Sequence, residues 1–240
     1  MIAARERVIV ALDVPDRARL EAFLAQLDGR PLFYKVGLEL FVAEGARAVE
    51  AVRRRGGKVF LDLKLHDIPE TVGRAVASAV SLGVELLTIH TAGGREMMRR
   101  AVEAAGGHTK ILGLSVLTSL TEADLVADGI DGGVTAAVVR RAKLAADAGV
   151  PGLVCSPLEV AEVKKAAPAL LTVVPGVRPA GAALGDQKRV ATPASAIAAG
   201  ADYLVIGRPI RDAVHPAEAF TAAVAEVAAA LIGTVPGLPS

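Results

Sequence analysis

A closed barrel of eight alternating βα units, folded as one domain over residues 1–240, is what this sequence predicts, and three observations predict it. Eight short runs rich in Val, Ile and Leu are spread along the chain, and Ala-rich stretches with helical periodicity separate them. No linker or shift in composition divides the whole. The length of 240 residues is close to the ~250 that a (β/α)8 TIM barrel typically takes.

The strands are expected at 8–13 (VIVALD), 32–37 (LFYKVG), 58–64 (KVFLDLK), 85–90 (ELLTIH), 110–117 (KILGLSVL), 152–156 (GLVCS), 170–176 (LLTVVPG) and 202–207 (DYLVIG). Each is short and apolar, as strands buried on both faces of a parallel barrel must be. Helical patterns fall between them, at 15–27, 39–55, 70–82, 95–105 and 134–148, with apolar residues recurring three and four positions apart. Gly56-Gly57, Gly106-Gly107 and Gly149 stand where these helices should end, in the role of left-handed caps. Residues 233–240, GTVPGLPS, read as an irregular tail.

Charge and composition exclude several classes of function. Lys and Arg total 27 against 26 Asp and Glu, a net charge of +1, so no global field exists to grip nucleic acid or an anionic membrane. Aromatic residues make up 3% of the chain and Trp is absent, which argues against stacking platforms for single strands. The single cysteine, Cys155, rules out an intrachain disulfide and a multi-cysteine zinc cluster, and in the apolar run LVCS it reads as a small core residue. No apolar stretch is expected to reach the ~18 residues of a membrane span, so a soluble, cytoplasmic protein is expected.

Function is read from polar residues at strand ends, because barrel active sites lie at the C-terminal mouth. Asp62 and Lys64 interrupt the run Val59, Phe60, Leu61, Leu63, Leu65, where an ionised group without partners would be costly. Two positions apart, they face the same side of the strand. Lys35 on the preceding strand can approach Asp62, and Asp67 follows in HDIP, where Pro69 keeps Ile68 extended. Lys-Asp-Lys-Asp is thus an alternating array whose members keep one another ionised. The structural alternative is an ion pair that only closes a barrel strand. Strand 1 adds Asp13, strand 5 leads into Thr118, and strand 8 ends in Gly207-Arg208, where backbone donors and a guanidinium suit a phosphate. The loop after strand 7, PGVRPAGAALGDQKR, is long and holds Arg178, Gln187, Lys188 and Arg189, as a lid over that phosphate would. His66, His90, His108 and His215 lack metal-ligand spacing and are left out of the catalytic set.

Together these segments, from VALDVPD through YKVGLELF, FLDLKLHDIPETV, IHTAGG and SVLTSL to PGVRP, GDQKR and DYLVIGRPI, resemble the orotidine 5′-phosphate decarboxylase family over nearly the whole chain. DLKLHDIPET is the most specific of them. The resemblance implies that Lys64 is the catalytic proton donor, Asp62 lies beside the substrate carboxylate, Lys35 orients that pair and Asp13 binds a ribose hydroxyl. It implies that Asp67, with Ile68 and Thr71 nearby, reaches the site from a partner subunit, so that a homodimer shares its active sites. Thr118 matches the position at the pyrimidine edge, and Arg178, Gln187, Gly207 and Arg208 match lid and phosphate positions. The substrate implied is a small nucleotide, orotidine 5′-monophosphate, with UMP as product and no cofactor or metal. A metal-dependent phosphosugar enzyme such as hexulose-phosphate synthase shares the strand-3 pattern but uses an acidic residue on strand 2, where this chain has Lys35. A silent nucleotide-binding barrel would not need Lys64.

Overall fold

The computed structural model describes residues 2–178 and 191–233. Eight parallel strands, β1 (Val8–Ala11), β2 (Phe33–Gly37), β3 (Lys58–Leu65), β4 (Leu86–His90), β5 (Lys110–Leu114), β6 (Gly152–Val154), β7 (Leu171–Val174) and β8 (Tyr203–Ile206), form a closed barrel in sequence order. β8 returns to β1 with Val8 opposite Leu204 and Val10 opposite Ile206. Every expected strand is present, and most end earlier than their apolar run. Asp13 therefore sits in the loop beyond β1 rather than on it, and Thr118 lies further past the end of β5 than expected.

Alternation along the strands builds two apolar layers. Ile9, Phe33, Phe60, Leu86, Leu112, Val173 and Val205 fill the barrel interior, while Val8, Val10, Val59, Leu61, Leu87 and Leu204 face outward under the helices. Both sets are almost wholly buried, which is why the strands are apolar without a break. At the end of the barrel opposite its mouth, Asp202 accepts hydrogen bonds from Lys164 Nζ at 2.6 Å and from the Thr172 amide at 2.8 Å. That polar knot ties β7 to the entrance of β8.

Two expectations need correction. The helical stretch at 39–55 is two helices, Leu38–Glu44 and Ala46–Arg53, because Gly45 at φ +57 breaks the α-helical path. Pro216–Gly233 is an 18-residue helix of mean hydropathy 1.3, apolar and long enough by those measures to cross a membrane, contrary to the expectation that no such stretch exists. It is a packed outer helix of the barrel: Phe220, Ala223 and Val227 are buried, and Glu226 accepts from the Ala194 amide at 3.2 Å. Alanine raises its hydropathy without adding apolar bulk. Helix ends follow local chemistry elsewhere, with Asp16 capping Arg17–Gln26 through the Arg19 amide and Pro69 opening Pro69–Ser81.

Candidate active site

A cavity of about 310 Å³ opens at the C-terminal mouth, lined by residues that follow or end β1, β2, β3, β5, β6, β7 and β8. Asp13, Lys35, Asp62, Lys64, Thr118, Arg178, Gly207 and Arg208 all line it. Its floor is the top of the interior layer, Phe60, Leu114, Val154 and Val205. Eight of the twelve residues assigned to the site from the sequence are thus brought together at one mouth of the barrel.

Four of them form a continuous charge chain. Asp13 Oδ1 accepts from Lys35 Nζ at 2.8 Å, Lys35 Nζ stands 3.7 Å from Asp62 Oδ2, and the same carboxylate oxygen is 2.8 Å from Lys64 Nζ. Asp62 is 9% exposed, and two ammonium groups stand against its carboxylate, the partners that a buried acidic group requires. The alternation is Asp13–Lys35–Asp62–Lys64. Asp67 is not part of it within one chain: it is exposed and accepts from the Ile68 amide at 2.7 Å. Asp67, Ile68 and Thr71 do not line the cavity. Gln187 lies outside the described residues, as do Lys188 and Arg189.

The backbone under Lys64 departs from a regular strand. Between the pairs Leu61–Leu87 and Leu65–Ile89, β3 advances four residues while β4 advances two. Lys64 itself sits at φ +53, a left-handed conformation that costs a side-chain-bearing residue roughly 1–2 kcal/mol. A hydrogen bond from its amide to Thr88 Oγ1 at 2.8 Å holds it there.

Space around the charge chain depends on Gly37. A Cβ at that position would meet Lys35 Nζ at 2.8 Å and Asp13 Oδ1 at 3.1 Å. Asp13 is also held through its backbone: Arg211 Nη1 donates to the Asp13 carbonyl at 2.9 Å, and Arg211 Nε donates to Asp212 Oδ1 at 2.7 Å. Sequence reasoning missed Thr88, Gly37 and Arg211. The short interval from Lys35 to Gly37 at a strand end was a usable signal, whereas Thr88 in LLTIH looks like any β-branched strand residue.

The histidines stay outside the cavity lining, and His90 does not reach its floor. His66 and His90 stack with ring centroids 5.1 Å apart and 18° between planes. His90 Nδ1 accepts from the Ala92 amide at 3.2 Å, and burial, followed by His66, Arg141 and Lys64, lowers its pKa to about 4. Cys155 is buried, and desolvation pushes its thiol up to about 12, which suits a core residue rather than a nucleophile.

Comparison with known proteins places the chain. The family model described as "Orotidine 5'-phosphate decarboxylase / HUMPS family" matches residues 6–223. The chain is 57% identical over 215 residues to an orotidine 5′-phosphate decarboxylase of Anaeromyxobacter sp. strain K, covering 89% of this chain and 95% of that one. It is 52% identical over 228 residues to the enzyme of that name from Halorhodospira halophila, covering 93% and 97% respectively. A crystal structure of orotidine 5′-phosphate decarboxylase from Lactobacillus acidophilus superposes with a TM-score of 0.82 at 33% identity, covering 92% of this chain and 99% of that one. With a match this long and a closed eight-stranded barrel beneath it, the chain belongs to the orotidine 5′-phosphate decarboxylase / HUMPS family.

Proposed function

We propose that this enzyme decarboxylates orotidine 5′-monophosphate to UMP, the closing step of de novo pyrimidine nucleotide synthesis, in the cytoplasm and without metal or cofactor. The observation that carries the reading is the Lys64 ammonium at the cavity, 2.8 Å from the buried Asp62. Relatives at 46–57% identity that bear the decarboxylase name support the overall reaction, and the charge chain supports the roles below.

Loss of CO2 from C6 leaves an electron pair in an sp2 orbital orthogonal to the ring π system, so the ring cannot delocalise it. A fixed cation must meet that charge. An ammonium at ~4 Å in an effective dielectric near 20 is worth roughly 4 kcal/mol, about a thousandfold in rate at ~1.4 kcal/mol per decade. Lys64 then gives its proton to C6 and regains one from solvent. Preorganised dipoles and phosphate binding energy at Gly207 and Arg208 supply further stabilisation. Asp62, beside the substrate carboxylate, adds repulsion that CO2 departure relieves, Lys35 orients Asp62, and Asp13 binds a ribose hydroxyl. Thr118 meets the pyrimidine edge, while Arg178 and Gln187 bind the substrate on its phosphate side.

Asp67, Ile68 and Thr71 act in the neighbouring site of a homodimer. Supporting this, Leu38, Ile68 and Leu117 are 50%, 66% and 37% exposed, and all three follow strand C-termini at the mouth end. Lys35 disfavours the metal-dependent phosphosugar branch, because its ammonium occupies the neighbourhood of Asp62 that a divalent cation would need. The test is absorbance-monitored turnover of orotidine 5′-monophosphate in EDTA. Lys64→Ala should abolish it while UMP affinity stays within about tenfold; near-parental activity in that variant overturns the assignment.

A further inference from the structure

We propose that Thr88, on β4, is a positioning residue that holds both ends of the proton donor in place. Its hydroxyl is wholly buried and has two partners, both belonging to the charge chain. Oγ1 accepts the Lys64 amide N–H at 2.8 Å and donates to Asp62 Oδ1 at 2.9 Å. Those directions are fixed by chemistry: an amide can only donate, and the single hydroxyl proton is then left for the carboxylate.

The consequence is a closed loop of contacts. Thr88 grips the left-handed Lys64 backbone, Lys64 Nζ reaches Asp62 Oδ2 at 2.8 Å, and the other oxygen of Asp62 returns to Thr88. With Oδ1 occupied, the carboxylate plane is set and its remaining oxygen faces both lysines, at 2.8 and 3.7 Å. Among the described residues, Thr88 is the one side chain on β4 that hydrogen-bonds the irregular β3 segment, where the strand register slips. Removing the hydroxyl while keeping the shape frees Lys64 to relax toward an ordinary strand conformation and frees Asp62 to rotate. Both motions carry the ammonium away from the reacting carbon. Both hydrogen bonds of the Thr88 hydroxyl go to Lys64 and Asp62, so its loss leaves Gly207 and Arg208 at the phosphate wall in place and substrate capture is spared.

This inference rests on Lys64 being the proton donor, and the experiment separates the two. Thr88→Val, Thr88→Ser and Lys64→Ala are compared for kcat, KM, UMP affinity and thermal midpoint. Thr88→Val is expected to lower kcat about 10²-fold, the scale of an ångström-sized misplacement, with KM within about threefold of the parent. Thr88→Ser, which restores the hydroxyl without the methyl group, should recover kcat to within about fivefold. If Thr88→Val is as fast as the parent while Lys64→Ala is dead, the Thr88 proposal fails and the donor assignment stands. Equal losses in the Val and Ser variants would mean that methyl packing matters rather than the hydroxyl, and would also overturn it. An active Lys64→Ala removes the donor assignment and this proposal together. Should Thr88→Val not fold, Thr88→Cys, similar in size and a weak donor, takes its place: parental kcat in a folded Cys variant refutes the proposal, and a loss that Thr88→Ser does not share supports it.

Discussion

Replacing Gly37 by alanine should damage catalysis without damaging the fold. Gly37 has φ −93 and ψ −178, an extended conformation open to any residue, so alanine introduces no backbone strain and removes some freedom from the unfolded chain. Its methyl group, however, would stand 2.8 Å from Lys35 Nζ, about 0.6 Å inside ordinary van der Waals contact. The ammonium has to yield by that distance, away from Asp13 at 2.8 Å, from Asp62 at 3.7 Å, or from both. At an effective dielectric near 20 the attraction lost to both carboxylates is about 1.7 kcal/mol. Because the Asp13 side chain is 42% exposed, solvent trims its share, and kcat/KM should fall about five- to twentyfold. The assay is initial-rate absorbance with orotidine 5′-monophosphate, run beside a thermal melt. A Gly37→Ala protein that melts at or above the parent temperature yet turns over at the parent rate refutes the claim that this glycine keeps space for the charge chain. A protein that simply unfolds refutes the claim that the backbone accepts a side chain.

Three further outcomes follow from the same structure. Mixing inactive Lys64→Ala with inactive Asp67→Ala should regenerate activity after subunit exchange, since a hybrid dimer holds one site with both native residues; no recovery despite exchange shown by native mass spectrometry means that Asp67 acts in its own chain. His90, lowered from 6.5 to about 4 by burial first, stays neutral in the folded protein where the unfolded chain would take up a proton. Its contribution to stability is therefore whole above pH 6.5 and is lost progressively as pH falls toward about 4. His90→Phe should flatten the thermal midpoint over that window, and an unchanged slope would sink the assignment. Cys155, buried with its thiol pushed up to about 12, should resist iodoacetamide at pH 8 until the protein is unfolded with urea, and labelling of the native protein would contradict its burial.

The barrel was legible because burial on two faces leaves its mark in composition: β-branched runs between alanine-rich helices admit few other architectures. Asp62 and Lys64 were legible for the converse reason, as charges set into an apolar run where solvent cannot compensate them. Asp67 was read as a member of the same array, and within one chain it is not, because the loop turns it outward onto the Ile68 amide. Asp13 instead completes the chain through Lys35, a contact between neighbouring strands that sequence spacing does not specify. Thr88 was invisible, since a threonine in a strand is ordinary by propensity and its meaning lies in two hydrogen bonds across a register slip. The break at Gly45 was hidden by apolar periodicity that continues on both sides of it.

Because β8 lies back against β1, every strand of this sheet has a neighbour on each side. Among the described strands no row of unsatisfied amides and carbonyls is left for another chain to extend, so growth by strand addition, the common route to amyloid-like assembly, has no starting edge in this barrel. Association of copies through the described barrel must then be specified by its loops and helices, which makes it tunable by single substitutions while the sheet itself remains a bystander.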